Sequence, residues 1–323
     1  MKYAWILLML VACSPIEEEE LGPPPTRAES LPVDAVKMTP ETDHFPPRLV
    51  LRDEFADPIP MPGPVNTAGV EDAPVLSTDG TRFLFFFTPD GNLPAEEQIF
   101  DRVTGIWLSR FESSTWSEPE RVRLHDEAAG DLALDGPFAL QGDTLWFGSF
   151  RANTWGDGDI YTALYNGETW VDWENAGREI NDVIDVGECW ILPGTGELIY
   201  DSTREGGLGG QDLWRVWREG EDWSEPENLG APLNTGLGDS RPCISPDGQV
   251  LWFTYEGSVN EGPGPSIWRA HRSGDDWVNP EEVVTGFVGD PGVDADGNLY
   301  FTHLFFTPEF EKIETDIYVC YRR

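Results

Sequence analysis

Three short patterns recur along this chain in phase, and whatever it folds into has to repeat with them. Ile106-Trp107, Ile160-Tyr161, Leu213-Trp214 and Ile267-Trp268 are separated by 54, 53 and 54 residues, and Ile317-Tyr318 continues the series. Trp116-Ser117-Glu118-Pro119, Trp170-Val171-Asp172-Trp173, Trp223-Ser224-Glu225-Pro226 and Trp277-Val278-Asn279-Pro280 keep the same spacing. The third pattern is a turn feeding an apolar run, clearest in Ser245-Pro246-Asp247-Gly248 before Val250-Leu251-Trp252-Phe253. Its counterparts are Ser77-Thr78-Asp79-Gly80, Gln141-Gly142-Asp143, Pro193-Gly194-Thr195-Gly196 and Asp294-Ala295-Asp296-Gly297. Pro and Asp favour the early positions of a β-turn, Gly accepts the positive φ that ends it, and an aromatic or β-branched run suits a strand covered on both faces. The 3.6-residue apolar spacing of a helical solenoid is missing. A period of about fifty residues holding four short strands matches one propeller blade, so the expected fold is all-β, a five-bladed β-propeller.

The fifth copy stops at Arg323, with no Trp-x-x-Pro segment behind Ile317-Tyr318-Val319-Cys320-Tyr321. That segment lies at the other end. Phe55-Ala56-Asp57-Pro58 through Val65-Asn66-Thr67 aligns without a gap on Trp223-Ser224-Glu225-Pro226 through Leu233-Asn234-Thr235, 168 residues further on. The N-terminal strand is therefore expected to close the last blade. A proline after the Trp fits an outermost strand, where a missing N–H costs nothing. Most of the 14 Trp recur at fixed repeat positions, which points to packing between blades rather than to sugar stacking.

The Ser245-Pro246-Asp247-Gly248 turn and the segment Gly206-Gly207-Leu208-Gly209-Gly210-Gln211-Asp212-Leu213-Trp214 resemble the WD40-like repeats of the Ser-Pro-Asp-Gly type, found in the Tol-system periplasmic propeller and in many envelope proteins. The resemblance covers roughly residues 49 to 323, and the second and third copies depart from the turn motif. It implies a fold and an association with protein binding and scaffolding. It brings no catalytic residue with it.

Ahead of the repeats, Lys2 followed by the apolar run Ala4 to Ala12 has the layout of a secretory signal and is too short to span a bilayer. It ends in Leu10-Val11-Ala12-Cys13, which resembles a bacterial lipobox and implies a diacylglycerol on Cys13. Ser14, in place of the Asp that commonly retains such proteins at the inner membrane, points to the outer membrane. Residues 1–12 are thus a signal peptide, 13–48 a lipidated tether expected to be disordered because Glu17 to Glu20, Pro23 to Pro25 and scattered polar residues offer little apolar surface, and 49–323 the propeller. A formal net charge of −38 makes nucleic acid an improbable partner. Cys189, Cys243 and Cys320 are an odd number, so at least one stays unpaired, and there is neither a CxxC nor a His spacing that would hold zinc.

An acidic residue stands just ahead of each first strand: Asp72, Asp135, Glu188, Asp239 and Asp290. First strands line the axis of a propeller, so these five are candidates to meet at one mouth of the channel, where they would bind a cation such as calcium or a basic group, or work as an acid-base pair on a glycoside. Alternatively each carboxylate caps its own loop. Asp159, Asp212 and Asp316, each before an Ile or Leu and an aromatic, suit turn capping. No Ser-His-Asp set, phosphate-binding loop or sialidase Asp-box is present, and Gly206 to Gly210 joins two strands, so it lacks the helix N-terminus a phosphate needs. The expected function is a monomeric, cofactor-free binding module for an envelope protein or glycan, membrane-bound through its lipid; the alternative is a carbohydrate-active enzyme (glycosidase or lyase) or lectin using the central mouth.

Replacing Cys13 with Ser is expected to abolish lipid attachment, because no other segment is long and apolar enough to anchor the chain. Recovery of Cys13→Ser in salt-washed membranes would contradict this.

Overall fold

A computed structural model describes residues 23–323, apart from 127–130, 153, 156–157, 179–180, 182–185, 192–195, 221 and 261, and apart from the side chains of 186–188 and 191. The repeated turn becomes structure through two side chains. Ser245 donates its hydroxyl to Asp247 (2.6 Å) and accepts the N–H of Val250 (2.9 Å), while Asp247 accepts the N–H of Gln249 (3.0 Å). Gly248 closes the turn at φ +72°, where a β-carbon would be strained. Ser77, Asp79, Thr81 and Gly80 repeat these bonds, and the Ser77 and Thr81 hydroxyls hold the Asp79 carboxyl down to about 2.

The strands that follow these turns build antiparallel meanders, almost without helix: α1 (Arg27–Ser30) and α2 (Ala95–Gln98) are single turns. The first unit holds β3 (Val70–Leu76), β4 (Arg82–Thr88), β5 (Gly105–Glu112), β6 (Thr115–Trp116) and β7 (Glu120–Arg121). The second holds β8 (Ala133–Gln141), β9 (Thr144–Arg151), β10 (Asp159–Tyr165) and β11 (Trp170–Asn175). The third holds β12 (Val186–Ile191), β13 (Glu197–Ser202), β14 (Asp212–Glu219), β15 (Asp222–Trp223) and β16 (Glu227–Asn228). The fourth holds β17 (Asp239–Ile244), β18 (Val250–Tyr255), β19 (Ser266–Ser273) and β20 (Asp276–Thr285), with β1 (Arg48–Leu49) on its edge. The fifth holds β21 (Val288–Val293), β22 (Leu299–Phe306) and β23 (Lys312–Cys320), and β2 (Ile59–Pro60) pairs with β23 through Ile59 to Val319 and Pro60 to Tyr318. The N-terminus thus supplies the outer strand behind β23, with a further bridge from Phe55 to Arg322. One parallel pair, Thr315 to Val70, joins the first and fifth units into a single nine-stranded sheet.

The first strands sit side by side, β3 against β8 and β21, β12 against β8 and β17, and β17 against β21. Leu76, Leu140, Trp190, Ile244 and Val293, one from each, surround a cavity of about 20 Å³. Second strands lie between neighbouring sheets, which is why β4 and β18 read as near-continuous apolar runs. Phe83, Phe85, Phe87, Phe253 and Phe301 are fully buried, each stabilising the fold by roughly 2 kcal/mol. Trp107, Trp146, Trp170, Trp214, Trp223, Trp252 and Trp277 are buried between sheets, with Trp146 meeting Trp223 edge to face across a seam. Cys189, Cys243 and Cys320 are all buried.

Three of the junctions between neighbouring units are tied by an asparagine. Asn234 donates to the carbonyl of Leu213 (2.9 Å) and accepts its N–H (2.8 Å), closing a ring of two bonds onto a third strand of the preceding unit. Asn181 does the same with Ile160 and Asn66 with Ile317. Asp159 and Asp212 cap the loops before their strands, accepting the N–H groups of Trp155 and Leu208, and each binds an Asn side chain behind, Asn175 or Asn228. Asp316 breaks the series. Pro60 stands where Asn228 stands in the third unit, and Asp316 takes the ammonium of Lys37 instead.

That contact corrects the picture of residues 13–48 as a free tether, at least for the described part from residue 23 on. Arg27 is buried against Glu71, Lys37 also binds Glu314 (3.0 Å), Met38 is buried in the core, Asp43 pairs with His303 (2.9 Å), and Phe45 stacks on Phe310 (5.0 Å). The segment carries too few apolar residues to order itself, but acids and rings already fixed in the sheets hold it. The second difference is β1, which makes β20 an inner strand although it carries Pro280; a register shift within β20 accommodates that residue.

Two outcomes follow. Asn234→Ala leaves the Leu213 amide and carbonyl without partners inside the seam and should cost about 1–3 kcal/mol in urea denaturation. Burial pushes Glu71 and Glu314 up to about 7, so between roughly pH 5 and 7 the folded protein holds more protons than the unfolded chain. Stability should therefore fall as pH rises through that window, and Glu314→Gln should flatten the slope of melting temperature against pH; an unchanged slope would refute the assignment.

Candidate functional site

Each first strand carries an irregularity near its start: between Asp72 and Val75, Pro137 and Ala139, Val186 and Cys189, Ser240 and Cys243, and Gly289 and Gly292. Three of these place a non-glycine residue at positive φ directly before a proline: Ala73 (+50°) before Pro74, Arg241 (+55°) before Pro242, and Asp290 (+52°) before Pro291. Proline normally pushes its predecessor to extended backbone, so each position carries strain of about 1–3 kcal/mol that the surroundings must hold. They hold it by hydrogen bonds to the second strand of the preceding unit. The Arg241 N–H reaches Asp201 Oδ2 (2.7 Å) and the Asp290 N–H reaches Thr254 Oγ1 (3.1 Å). At Ala73 a carboxylate intervenes: Asp72 Oδ1 accepts both the Ala73 N–H (2.8 Å) and the Thr302 hydroxyl (2.6 Å).

The bulges decide which of the five sequence candidates meet. Asp135 and Asp239 share one register position, opposite Ser149 and Tyr255, one place before that of Asp72 opposite Phe86, and Asp290 lies inside its bulge, one place after it. Asp72 and Asp290 come close enough to interact, and Arg241 Nε lies 2.5 Å from Asp290 Oδ1. Burial would push the Asp72 carboxyl up, but Asp290, the Arg241 charge and the Thr302 hydroxyl outweigh it and hold Asp72 below the ordinary range. Partners thus offset the burial of Asp72.

Asp135 and Asp239 do not join them. Asp135 is fully buried and bound to Arg151 (2.8 Å) and His125 (3.5 Å), and although burial opposes ionisation, His125 and Arg151 bring its carboxyl below the usual value. Arg151 in turn covers the Tyr161 ring at 4.5 Å. Asp239 accepts the Thr235 N–H (2.6 Å) in its own loop and is pushed up to about 6, first by burial and then by Asp212 and Glu256, against the Thr235 bond. The Glu188 side chain lies outside the described residues, and no three His, Cys, Asp or Glu side chains among those described are placed to hold a metal ion.

Arg241 is the mouth residue that the acidic pattern missed. Its signal was the residue-Pro pair shared by Ala73-Pro74, Arg241-Pro242 and Asp290-Pro291, which marks the bulge in the sequence. With its side chain 41% exposed and its Nε on Asp290, Arg241 gives the mouth a cation beside the acids Asp72 and Asp290. Such a group is suited to holding polar or anionic surface.

No family model matches the chain, and no curated sequence matches it. Among solved structures it is similar to an exo-1,5-α-L-arabinanase from a bovine ruminal metagenomic library (13% identity, TM-score 0.49, over 80% of this chain and 94% of that one). It is also similar to an α-L-arabinofuranosidase from Lactobacillus brevis (12%, 0.48, 78% and 90%) and to a TolB-type protein from Agrobacterium tumefaciens (14%, 0.40, 78% and 91%).

Proposed function

We propose that this chain is a five-bladed β-propeller, lipid-anchored through Cys13 at the outer membrane, that binds a protein or glycan component of the cell envelope without catalysing a reaction. The five meanders, their side-by-side first strands and the pairing of β2 with β23 support the architecture. The observation that carries the non-catalytic reading is what already engages the two mouth acids: Arg241 on Asp290, and the Thr302 hydroxyl and the Ala73 N–H on Asp72. A glycosidase needs two carboxyl groups about 5–10 Å apart with the scissile bond between them. Here the two carboxyls that approach each other are taken up by other groups, Asp290 by Arg241 and Asp72 by Thr302, which argues against either acting on a glycosidic bond.

Crosslinking in intact envelopes, followed by identification of what is captured, is expected to return one component in stoichiometric yield from the wild type. Asp72→Asn, which can still accept from Thr302 and Ala73, should fold normally and keep that partner, whereas Arg241→Ala strips Asp290 of its cation and should cost about 1–3 kcal/mol. Hydrolysis of arabinan or of aryl glycosides that Asp72→Asn abolishes would decide for the enzyme instead.

A further inference from the structure

The pocket faced by Asp239 has a filled counterpart elsewhere in the molecule. Around Arg27, the carbonyls of Pro64 and Val65 accept from the guanidinium at 2.5 and 2.6 Å, and Glu71 lies 3.3 Å away. The rings of Phe85, Phe87 and Trp107 stand 5.3 to 5.6 Å from its central carbon. A step of 168 residues along the chain turns Pro64, Val65, Thr67, Glu71, Phe85 and Phe87 into Pro232, Leu233, Thr235, Asp239, Phe253 and Tyr255. Trp268 takes the place of Trp107, since the two pair with Phe253 and Phe85 in the same way.

With Val259, these residues line an open cavity of about 140 Å³ between the third and fourth units, and no basic side chain is among them. Tyr255 and Trp268 keep the edge-to-face geometry of Phe87 and Trp107, at 5.6 against 6.0 Å. Thr235 donates its N–H to Asp239 as Thr67 does to Glu71. The other oxygen of Asp239, a residue with 0% exposure, has no hydrogen-bond partner among the described residues. A buried carboxylate oxygen without a partner, walled by aromatic rings, is half of an interaction.

We infer that this cavity is a guanidinium site that takes an arginine side chain from a partner protein. The internal copy shows which chemistry fits: a planar cation between rings, bonded to a carboxylate. A lysine ammonium matches the carboxylate but neither stacks on the rings nor offers a fork of donors. A net charge of −38 draws a basic partner to the surface, and the chain's own N-terminal segment fills the other pocket. The inference deepens the binding-module reading by naming what the partner presents, but the pocket's chemistry is measurable without any partner.

Titration calorimetry with Nα-acetyl-arginine methylamide, its lysine analogue, and a peptide copying residues 23–31 tests it on the folded chain. Arginine compound and peptide should both bind saturably, and the lysine compound about ten-fold more weakly. Asp239→Asn should lower both arginine affinities about ten-fold, and Trp268→Leu, which leaves the Thr235 cap intact, covers the case in which Asp239→Asn does not fold. Absence of saturable binding by the wild type, or affinities untouched by both variants, overturns the site. Loss through Glu71→Gln instead would show that the probe had displaced Arg27 and likewise overturns it. Binding of the small compound without the peptide overturns the assignment to a protein partner.

Discussion

The molecule depends on how one meander is fastened to the next, because no disulfide joins the described units and every seam is non-covalent. At three seams the fastening is an asparagine that replaces a strand: Asn66, Asn181 and Asn234 each satisfy both backbone groups of one residue in the third strand of the unit before. A loop that would otherwise leave a buried N–H and C=O without partners becomes the rivet between sheets. The rivet also places the next first strand, since Thr67 and Thr235 follow Asn66 and Asn234 directly and hydrogen-bond the acid that opens β3 or β17. Mouth geometry is thus inherited from the seam.

How much of this could be read from the sequence differs by element, for physical reasons. The turns were legible because Ser, Asp and Gly act within six residues and their bonds are local. The pairing of β2 with β23 was legible because the repeat was one strand short at one end and one strand long at the other. The acids were legible as candidates but not as a constellation. A bulge moves every later side chain by one place, and a strand's period of two turns such a slip into a change of face. Asp239 and Asp290 each sit one place off the register of Asp72, in opposite directions, and only Asp290 reaches it.

The N-terminal segment was illegible for the opposite reason. Its composition predicts disorder, and nothing within twenty residues of Arg27 or Lys37 could order it. Their partners, Glu71, Glu314 and Asp316, are fixed by strand pairing at positions far along the chain. In a chain with 59 acidic and 21 basic residues, a cation placed near buried carboxylates relieves more than it costs to order. Arg215 and Arg272 follow the same logic where they meet the buried Glu197 of the third unit.

Repetition makes the unequal fates of its copies informative. Glu71 and Asp239 occupy equivalent places and accept the same threonine N–H, yet one faces an arginine of its own chain and the other an open aromatic pocket. If the acid served only to cap its loop, the fourth unit would lose nothing with an amide there, and the protein would escape the desolvation of a carboxylate that burial already pushes up to about 6. A fold that keeps an unmatched buried charge at one of two equivalent positions is less stable than it need be, and such local violations concentrate where a ligand completes the set. The Asn rivet permits this, because it anchors the backbone of both pockets identically and leaves the filling of each to whatever cation can reach it.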